Sequence, residues 1–312
     1  MIEEDNISVK VSVIIVNYNV KFYLEQCLLS LYSSALFSQM EIIVVDNYSS
    51  DGSKAYFENK FPEVLFVWST SNDGYSKANN KAIQMSHGQY VLLLNPDTVV
   101  GELVLSQVSN FMDAHPDAGA VGVKMINGSG RFLPESKRGF PSPWVSFCKI
   151  FGLAKMFPKS RFFGRYHLLF LDENEIHPVD ILCGAFMMIR RSTLNKVGLL
   201  DETFFMYGED IDLSYRITLG GYQNYYLPEK IIHYKGESTK KNTMQYVKIF
   251  YRAMYLFFKK YYSRYSLFYS MSVPVGIFLR ASVSGLKRVF LPILVCLGKK
   301  EHPIKELLFP DG

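Results

Sequence analysis

Residues 11–19 read VSVIIVNYN: five β-branched side chains in six positions, then an abrupt change to Asn17-Tyr18-Asn19. A run that is apolar at every position, rather than at alternate ones, belongs to a strand covered on both faces. The same pattern recurs at EIIVV (41–45), VLFVW (64–68), YVLLL (90–94) and GAVGV (119–123), spaced by 20 to 30 residues. Between these runs, VKFYLEQCLLSLYSS sets Leu24, Cys27, Leu28 and Leu31 on one helical stripe. DGSKAYFENKF and GYSKANNKAIQMSHG also suit helices, the second closed by Gly88. Strand and helix alternating in this way predict an α/β domain with a doubly wound, mostly parallel sheet and flanking helices. No internal repeat or low-complexity linker interrupts it.

In such sheets ligands bind beyond the carboxyl ends of the strands. The residues there are Asn17-Tyr18-Asn19, Asp46-Asn47, Ser71-Asn72-Asp73-Gly74 and Asn95-Pro96-Asp97. Any one of these sets could simply make a turn; four converging on one edge point to a pocket. Tyr18 offers a face for stacking on a base, and Asp46 or Asn47 can meet a base edge. Asp97, with Thr98 beside it, suits a hard divalent cation that takes oxygen ligands from one or two carboxylates and from phosphate. A nucleoside diphosphate with a metal fits that set. There is no Walker phosphate loop and no Gly-x-Gly-x-x-Gly after the first strand, so NTPase and dinucleotide-binding readings lose their main support.

The 312 residues are 48% hydrophobic and 15% aromatic, enough for one large core or two smaller ones. Cys27, Cys148, Cys183 and Cys296 are scattered without Cys-x-x-Cys spacing, which argues against a zinc site or a disulfide framework and for a reducing compartment. The acidic, polar start MIEEDNISVKVS does not read as a signal peptide. Charge is unevenly placed. From Lys235 onward there are 14 Lys or Arg against 4 Asp or Glu, while residues 1–234 hold 20 against 25. A net −5 body thus carries a net +10 tail, which points to an anionic partner for the tail.

FFMYGEDIDLSYR (204–216) puts Glu209, Asp210 and Asp212 behind an apolar-aromatic run. Acids are favoured in the first turn of a helix, and Asp212 can pair with Arg216 one turn on. The alternative is that one carboxylate has been brought to a reaction.

VSVIIVNYN, EIIVVDNYSSDGS, NDGYSKANNKA, YVLLLNPDT, CGAFMMIRR, GLLDETFFMYGEDIDLSYRITLGGY and HYKGES occur in that order. Together they resemble family 2 glycosyltransferases, most of all the rhamnosyltransferase-like branch that builds bacterial surface polysaccharides. The resemblance covers roughly residues 9–238. It implies a GT-A fold and an inverting transfer of sugar from a nucleotide donor to an acceptor hydroxyl. It assigns nucleoside contacts to Asn17, Tyr18, Asn19, Asp46 and Asn47, and a glycine-amide loop to Asn72, Gly74, Tyr75 and Asn79. The metal motif, Asp-x-Asp in many members, reads Asn95-Pro96-Asp97 here, so Asp97 is the remaining carboxylate and Asn95 is grouped with the donor contacts. His233 falls where relatives place a further metal or pyrophosphate contact, with Mg²⁺ or Mn²⁺ as the cation; a structural role after the strand KIIHY is the alternative. The general base maps to Asp210, with Glu209 as the second candidate or as an orienter of the acceptor. Gly184-Ala185 is expected under the donor sugar, or else as a tight strand-end turn.

SKRGFPSPW (136–144) opens an aperiodic, aromatic segment to about residue 178, expected to be a loop that meets the acceptor or packs as an insertion. Arg190-Arg191 is expected at the surface. From residue 239 a basic, aromatic tail succeeds the catalytic domain (1–238). Its apolar runs, LFYSMSVPVGIFL and VFLPILVCL, are shorter than a membrane span and suit helices lying in the interface; packing against the body and a re-entrant or short spanning hairpin are the alternatives. No RNA-binding motif accompanies the charge, so nucleic acid is not an expected partner. The partners expected are a nucleotide sugar, with dTDP-L-rhamnose a candidate by the resemblance alone, a saccharide or lipid-linked acceptor, and the inner face of the plasma membrane, from the cytoplasm. A catalytically silent nucleotide-sugar-binding or scaffold module of a polysaccharide assembly stands as the other functional class. A cytidylyl- or uridylyltransferase is disfavoured because VNYNVKFY is not a Gly-rich, basic loop.

Overall fold

The computed structural model describes residues 9–150, 152–236 and 244–262, with residues 275, 276, 278 and 282. The chain divides into two compact units, Met1–Thr239 and Lys240–Gly312.

The first unit begins β1 (Val11–Asn17), α1 (Lys21–Tyr32), β2 (Met40–Asp46), α2 (Ser53–Phe57), β3 (Val64–Trp68), α3 (Tyr75–Met85) and β4 (Tyr90–Leu94). These are the strands and helices expected from the sequence. It continues with β5 (Thr98–Val100), α4 (Val104–Ala114), β6 (Ala118–Ile126), α5 (Pro143–Ile150), α6 (Leu153–Met156), β7 (His177–Val179), β8 (Phe186–Arg190), α7 (Arg191–Val197), α8 (Glu209–Leu219) and β9 (Gln223–His233). One sheet runs β3-β2-β1-β4-β8-β6-β9-β5, with β7 also paired to β9.

All seven residues of β1 are buried, and alternate side chains serve opposite faces. Val11, Val13 and Ile15 pack with Leu24, Cys27, Leu28 and Leu31 of α1 in one core cluster. Ile14 and Val16 join Ala78, Ala82 and Ile83 of α3 in a second cluster on the other side. The doubly wound α/β reading is borne out. Its parallel part is β3-β2-β1-β4, together with β6 beside β9. Antiparallel β8 lies between β4 and β6, and β5 and β7 run antiparallel to β9.

Two expectations need correction. The segment after residue 136 is not a plain loop, since it forms α5, α6 and β7. Arg190 and Arg191 are half-buried clasps and not free surface charge: Arg190 donates to the carbonyls of Met112, His115 and Ala118, and Arg191 to that of Gly88.

The second unit contributes α9 (Met244–Tyr261), whose last turn carries Lys259 and Lys260. No helix among the described residues is long and apolar enough to cross a membrane. The runs at 267–279 and 289–297 lie outside the described residues, apart from residues 275, 276 and 278.

Candidate functional site

Strand register assembles the site. Pairing of β1 with β2 sets Asn17 beside Asp46. Asn17 Nδ2 donates to Asp46 Oδ2 at 2.7 Å and to Ser53 Oγ at 3.1 Å, and Asp46 Oδ1 accepts the Ser49 N–H at 2.8 Å. Asn47 interlocks with the next strand end. Its Nδ2 donates to Asn72 Oδ1 at 2.9 Å and to the Gly74 carbonyl at 3.2 Å, and its Oδ1 accepts the Asp73 N–H at 3.1 Å. Asn17, Asp46 and Asn47 are buried, so their amides and carboxylate tie the strand ends together. Asn19, at φ 57°, fastens the loop through Oδ1 to the Ser50 N–H, while Tyr18 is 37% exposed and presents its ring.

The glycine loop is tied to the acidic helix. Gly74 has φ +88°, and a Cβ there would stand 2.6 Å from the Phe205 carbonyl oxygen, so only glycine fits. Tyr75 N–H donates to that carbonyl at 2.7 Å, and Ser76 Oγ to the Phe204 carbonyl at 2.7 Å. Asn79 is buried and caps the Tyr75 carbonyl at 2.9 Å. Left-handed Tyr207 (φ 66°) and Gly208 (φ 95°) then turn the chain into α8, delivering Glu209 and Asp210.

Tyr75 joins these parts. Its hydroxyl donates to the Gly184 carbonyl at 3.0 Å and lies 3.4 Å from Asn95 Oδ1. Burial first, then the charges of Glu209, Cys183 and Asp210, hold its pKa well above the usual tyrosine value. Asn95 N–H in turn donates to the Ala185 carbonyl. Gly184 faces the acidic helix and Tyr75: a methyl added to its Cα would stand 3.5 Å from Asp210 Cβ and 3.7 Å from the Tyr75 hydroxyl. Ala185 instead packs in the core cluster with Phe186 and Leu94, so of this pair only Gly184 stands beside Tyr75 and Asp210.

The three acids separate by surroundings. Asp212 is fully buried and pairs with Arg216 at 2.8 Å, as expected; Arg216 also binds the carbonyls of Val197, Gly198 and Leu199. Glu209 is 6% exposed, and its Oε2 finds no hydrogen-bond partner among the described residues. Burial, and then the neighbouring Asp210 charge, push its carboxyl up to about 8. Asp210 accepts its own helix's Ile211 N–H through Oδ1, while Oδ2 takes the Arg138 guanidinium at 2.6 Å and the Gly184 N–H at 3.4 Å.

Arg138 is the functional residue that sequence reasoning missed. It is nearly buried, bridges Ile181 through its backbone, and also donates to the Leu182 carbonyl at 2.6 Å. Burial opposes its charge, but the Asp210 carboxylate outweighs this and raises its pKa. The only trace in the sequence was the basic pair in SKRGF.

Beyond Asn95 in the chain, β5–β9 register pairs Thr98 with His233 and so brings Asp97 alongside. His233 Nε2 lies 3.3 Å from Asp97 Oδ1, and both side chains are buried. Among the described residues, Asp97 Oδ1 has that ion-pair contact and no hydrogen bond, and His233 Nδ1 has no hydrogen-bond partner. No group of three or more His, Cys, Asp or Glu suited to a metal occurs among the described residues. One carboxylate and one imidazole, both with unmet polar atoms, fit a cation that takes its other ligands from phosphate and water.

A cluster of strand-end amides, a tied glycine loop and an acidic pair at a helix start, Glu209 buried and Asp210 half-buried, thus lie at one edge of the sheet. The chain belongs to glycosyl transferase family 2, whose profile matches residues 12–198, and it is a glycosyltransferase. It is 27% identical over 295 residues, 88% of this chain and 95% of the relative, to the N-acetylglucosaminyl-diphospho-decaprenol L-rhamnosyltransferase of Mycobacterium tuberculosis. It is 30% identical over 209 residues, 66% of this chain and 60% of the other, to the low-salt glycan biosynthesis hexosyltransferase Agl10 of Haloferax volcanii. Among solved structures, the mannosyltransferase PcManGT of Pyrobaculum calidifontis, in complex with GDP-Man and Mn²⁺, matches with a TM-score of 0.57 at 17% identity, over 96% of this chain and 78% of that one. TarS 1–349 of S. aureus in complex with UDP-GlcNAc matches with a TM-score of 0.54 at 21% identity, over 80% of this chain and 65% of that one. These structures establish the fold, GT-A.

Proposed function

We propose that the chain transfers a sugar, with inversion, from a nucleoside-diphosphate donor to a hydroxyl of a lipid-linked saccharide in cell-surface polysaccharide synthesis, with dTDP-L-rhamnose as the donor. The observation that carries this reading is the Tyr75 junction, where the donor loop, Asn95, Gly184 and the acidic pair meet. The name of the mycobacterial relative, a rhamnosyltransferase acting on a diphospho-decaprenol, supports the sugar and the lipid-linked acceptor.

In this reading Tyr18 stacks on the base, over the floor of Asn17, Asp46 and Asn47. Asn19 holds that loop. Asn72, Gly74, Tyr75, Asn79 and Asn95 shape the path of the diphosphate, and Gly184 leaves room for the sugar ring. Asp97 and His233 would hold a divalent cation, Mg²⁺ or Mn²⁺, which when bound supplies charge neutralisation for the departing diphosphate. The two carboxyls divide the acid–base work. A carboxyl raised to about 8 is mostly protonated at neutral pH, so Glu209 donates a hydrogen bond and orients the acceptor. Asp210 is the base. It takes the acceptor hydroxyl's proton as the oxygen bonds to the anomeric carbon, and the bond to the diphosphate oxygen breaks on the opposite face, the leaving group keeping the electron pair. Arg138 is the counter-ion that fixes Asp210 Oδ2 before the acceptor arrives. The net +10 tail, α9 included, meets the anionic inner face of the plasma membrane.

Titration calorimetry of the full chain against nucleoside diphosphates and nucleotide sugars, with Mg²⁺, with Mn²⁺ and with EDTA, tests the donor half. Tight binding of dTDP species that weakens with EDTA and with Asp97→Ala supports it. A folded sample that binds none of the panel points to a silent scaffold instead.

A further inference from the structure

Between Glu135 and Asp172 the sequence holds seven Lys or Arg and no acidic residue, a bias unlike the net −5 body in which it sits. Two of the seven, Lys137 and Arg138, are turned inward; Lys149, Lys155, Lys159, Arg161 and Arg165 are exposed. The same segment displays large apolar side chains to solvent: Trp144 is 41% exposed, Met156 70%, Phe157 45% and Phe162 60%. They form a connected group. Trp144 and Phe162 lie 5.0 Å apart by ring centroids, Phe162 and Phe163 5.0 Å, and Phe157 and Phe163 5.4 Å. A contiguous exposed apolar patch of this kind marks an interaction surface.

We propose that this patch, carried by α5, α6 and the chain from there to Arg165, is a membrane-docking face of the catalytic unit that seats its aromatic rings at the headgroup level of an anionic bilayer. Charge complementarity selects the occupant. Exposed aromatic rings interspersed along the segment with exposed Lys and Arg, and with no carboxylate between Glu135 and Asp172, match the interface of a bilayer bearing acidic lipids, where rings sit between headgroups and basic side chains reach phosphates. The face is also coupled to the chemistry. Arg138 starts the segment and grips Asp210, and Gly139 N–H donates to the Tyr166 carbonyl near the segment's far end. Lipid contact at the patch therefore bears on the element that holds the base, and it presents the cleft to a membrane-embedded acceptor. This contact is separate from the one proposed for the tail, and either can fail alone.

The chain has two tryptophans, and Trp68 is stacked on Phe66 in β3, so Trp68→Phe in the full chain leaves Trp144 as a reporter built into the patch. Its emission is followed on adding phosphatidylcholine vesicles with and without phosphatidylglycerol, and then vesicles whose acyl chains are brominated near the headgroup. The result expected is a blue shift and quenching with the anionic vesicles alone. Each basic side chain at an anionic surface is worth about fivefold in affinity, so replacing Lys155, Lys159 and Arg161 by Gln should weaken the Trp144 signal's midpoint about a hundredfold. Those three are exposed, and an unchanged melting temperature confirms that the variant folds. Co-sedimentation with the vesicles while Trp144 emission stays unshifted and unquenched would overturn the proposal and leave binding to the tail. A concentration-dependent shift without lipid, with a dimer in sedimentation velocity, would overturn it in favour of a second copy of the chain.

Discussion

Replacing Glu209 by Gln should make the protein more stable as pH rises, because the wild-type carboxyl is buried where ionisation is opposed. Its pKa stands at about 8 against an ordinary 4.5, through burial first and the Asp210 charge second. Between those pH values the unfolded chain has released this proton and the folded chain still holds it. Stability therefore falls as pH climbs through the window and levels off above it. At about 1.4 kcal/mol for each tenfold in proton affinity, the loss reaches about 5 kcal/mol at most. Gln is the same size and cannot ionise, so the variant lacks this slope. The assay is urea unfolding of wild type and Glu209→Gln at matched ionic strength from pH 5 to pH 8.5, followed by circular dichroism. Near pH 5 the two should nearly coincide. By pH 8 the variant should be ahead by several kcal/mol, an advantage of up to about 10 °C in melting temperature. Titrating groups that do not face Glu209 are common to both chains and drop out of the difference. Parallel curves across the range would refute the reasoning, and with it the assignment of Glu209 as the protonated partner of the acidic pair.

Arg138→Ala takes the counter-ion from the half-buried Asp210 carboxylate and should cost about 2–4 kcal/mol in unfolding free energy, less than for a fully buried pair, whereas Arg138→Met combined with Asp210→Asn should cost clearly less than the sum of those two changes made singly, as a double-mutant cycle would read. Gly74→Ala forces a Cβ to within 2.6 Å of the Phe205 carbonyl at φ +88°, so it should lose about 2–3 kcal/mol of stability and most donor affinity, both measurable on one preparation by unfolding and calorimetry. Gly184→Ala is the contrasting case. Its nearest neighbour would be 3.5 Å away, so the protein should fold normally while its KM for the donor rises, because the methyl enters the space kept for the sugar. Asp97→Ala should abolish the difference between Mg²⁺ and EDTA in donor titrations and leave the melting temperature of the free protein within a few degrees of wild type.

The first half of the sheet was legible because strands covered on both faces are apolar over consecutive positions, as β1, β4 and the inner part of β2 are, and the edge strand β3 carries the same kind of run although Leu65 is exposed. Once these strands pair in parallel, register does the rest: Asn17 falls beside Asp46, and Asn47 and Asn72 are neighbours across strand ends. The second half was less legible. β5 and β7 have three residues each, too short for a periodic signal, and β8 is antiparallel between two strands that read like their parallel neighbours. The acidic cluster announced itself, but not its division of labour. Local rules placed Asp212 with Arg216 one turn away, while nothing local could pair Asp210 with Arg138, 72 residues earlier. Arg190 and Arg191 misled for the same reason: their carbonyl partners lie mostly at the far ends of other helices and strands. Ala185, one residue from Gly184, showed that adjacent positions entering a strand face opposite ways.

The most direct test of the acid–base assignment is a transfer assay on Asp210→Asn and Glu209→Gln beside wild type, using the nucleotide sugar that calorimetry selects and a lipid-linked saccharide acceptor. It reads nucleoside diphosphate release and, by NMR, the anomeric configuration of the product. Wild type should give an inverted product. Asp210→Asn should bind donor normally with turnover lowered at least a thousandfold, and Glu209→Gln should keep turnover within about tenfold of wild type. Turnover retained by Asp210→Asn and lost in Glu209→Gln would contradict the assignment.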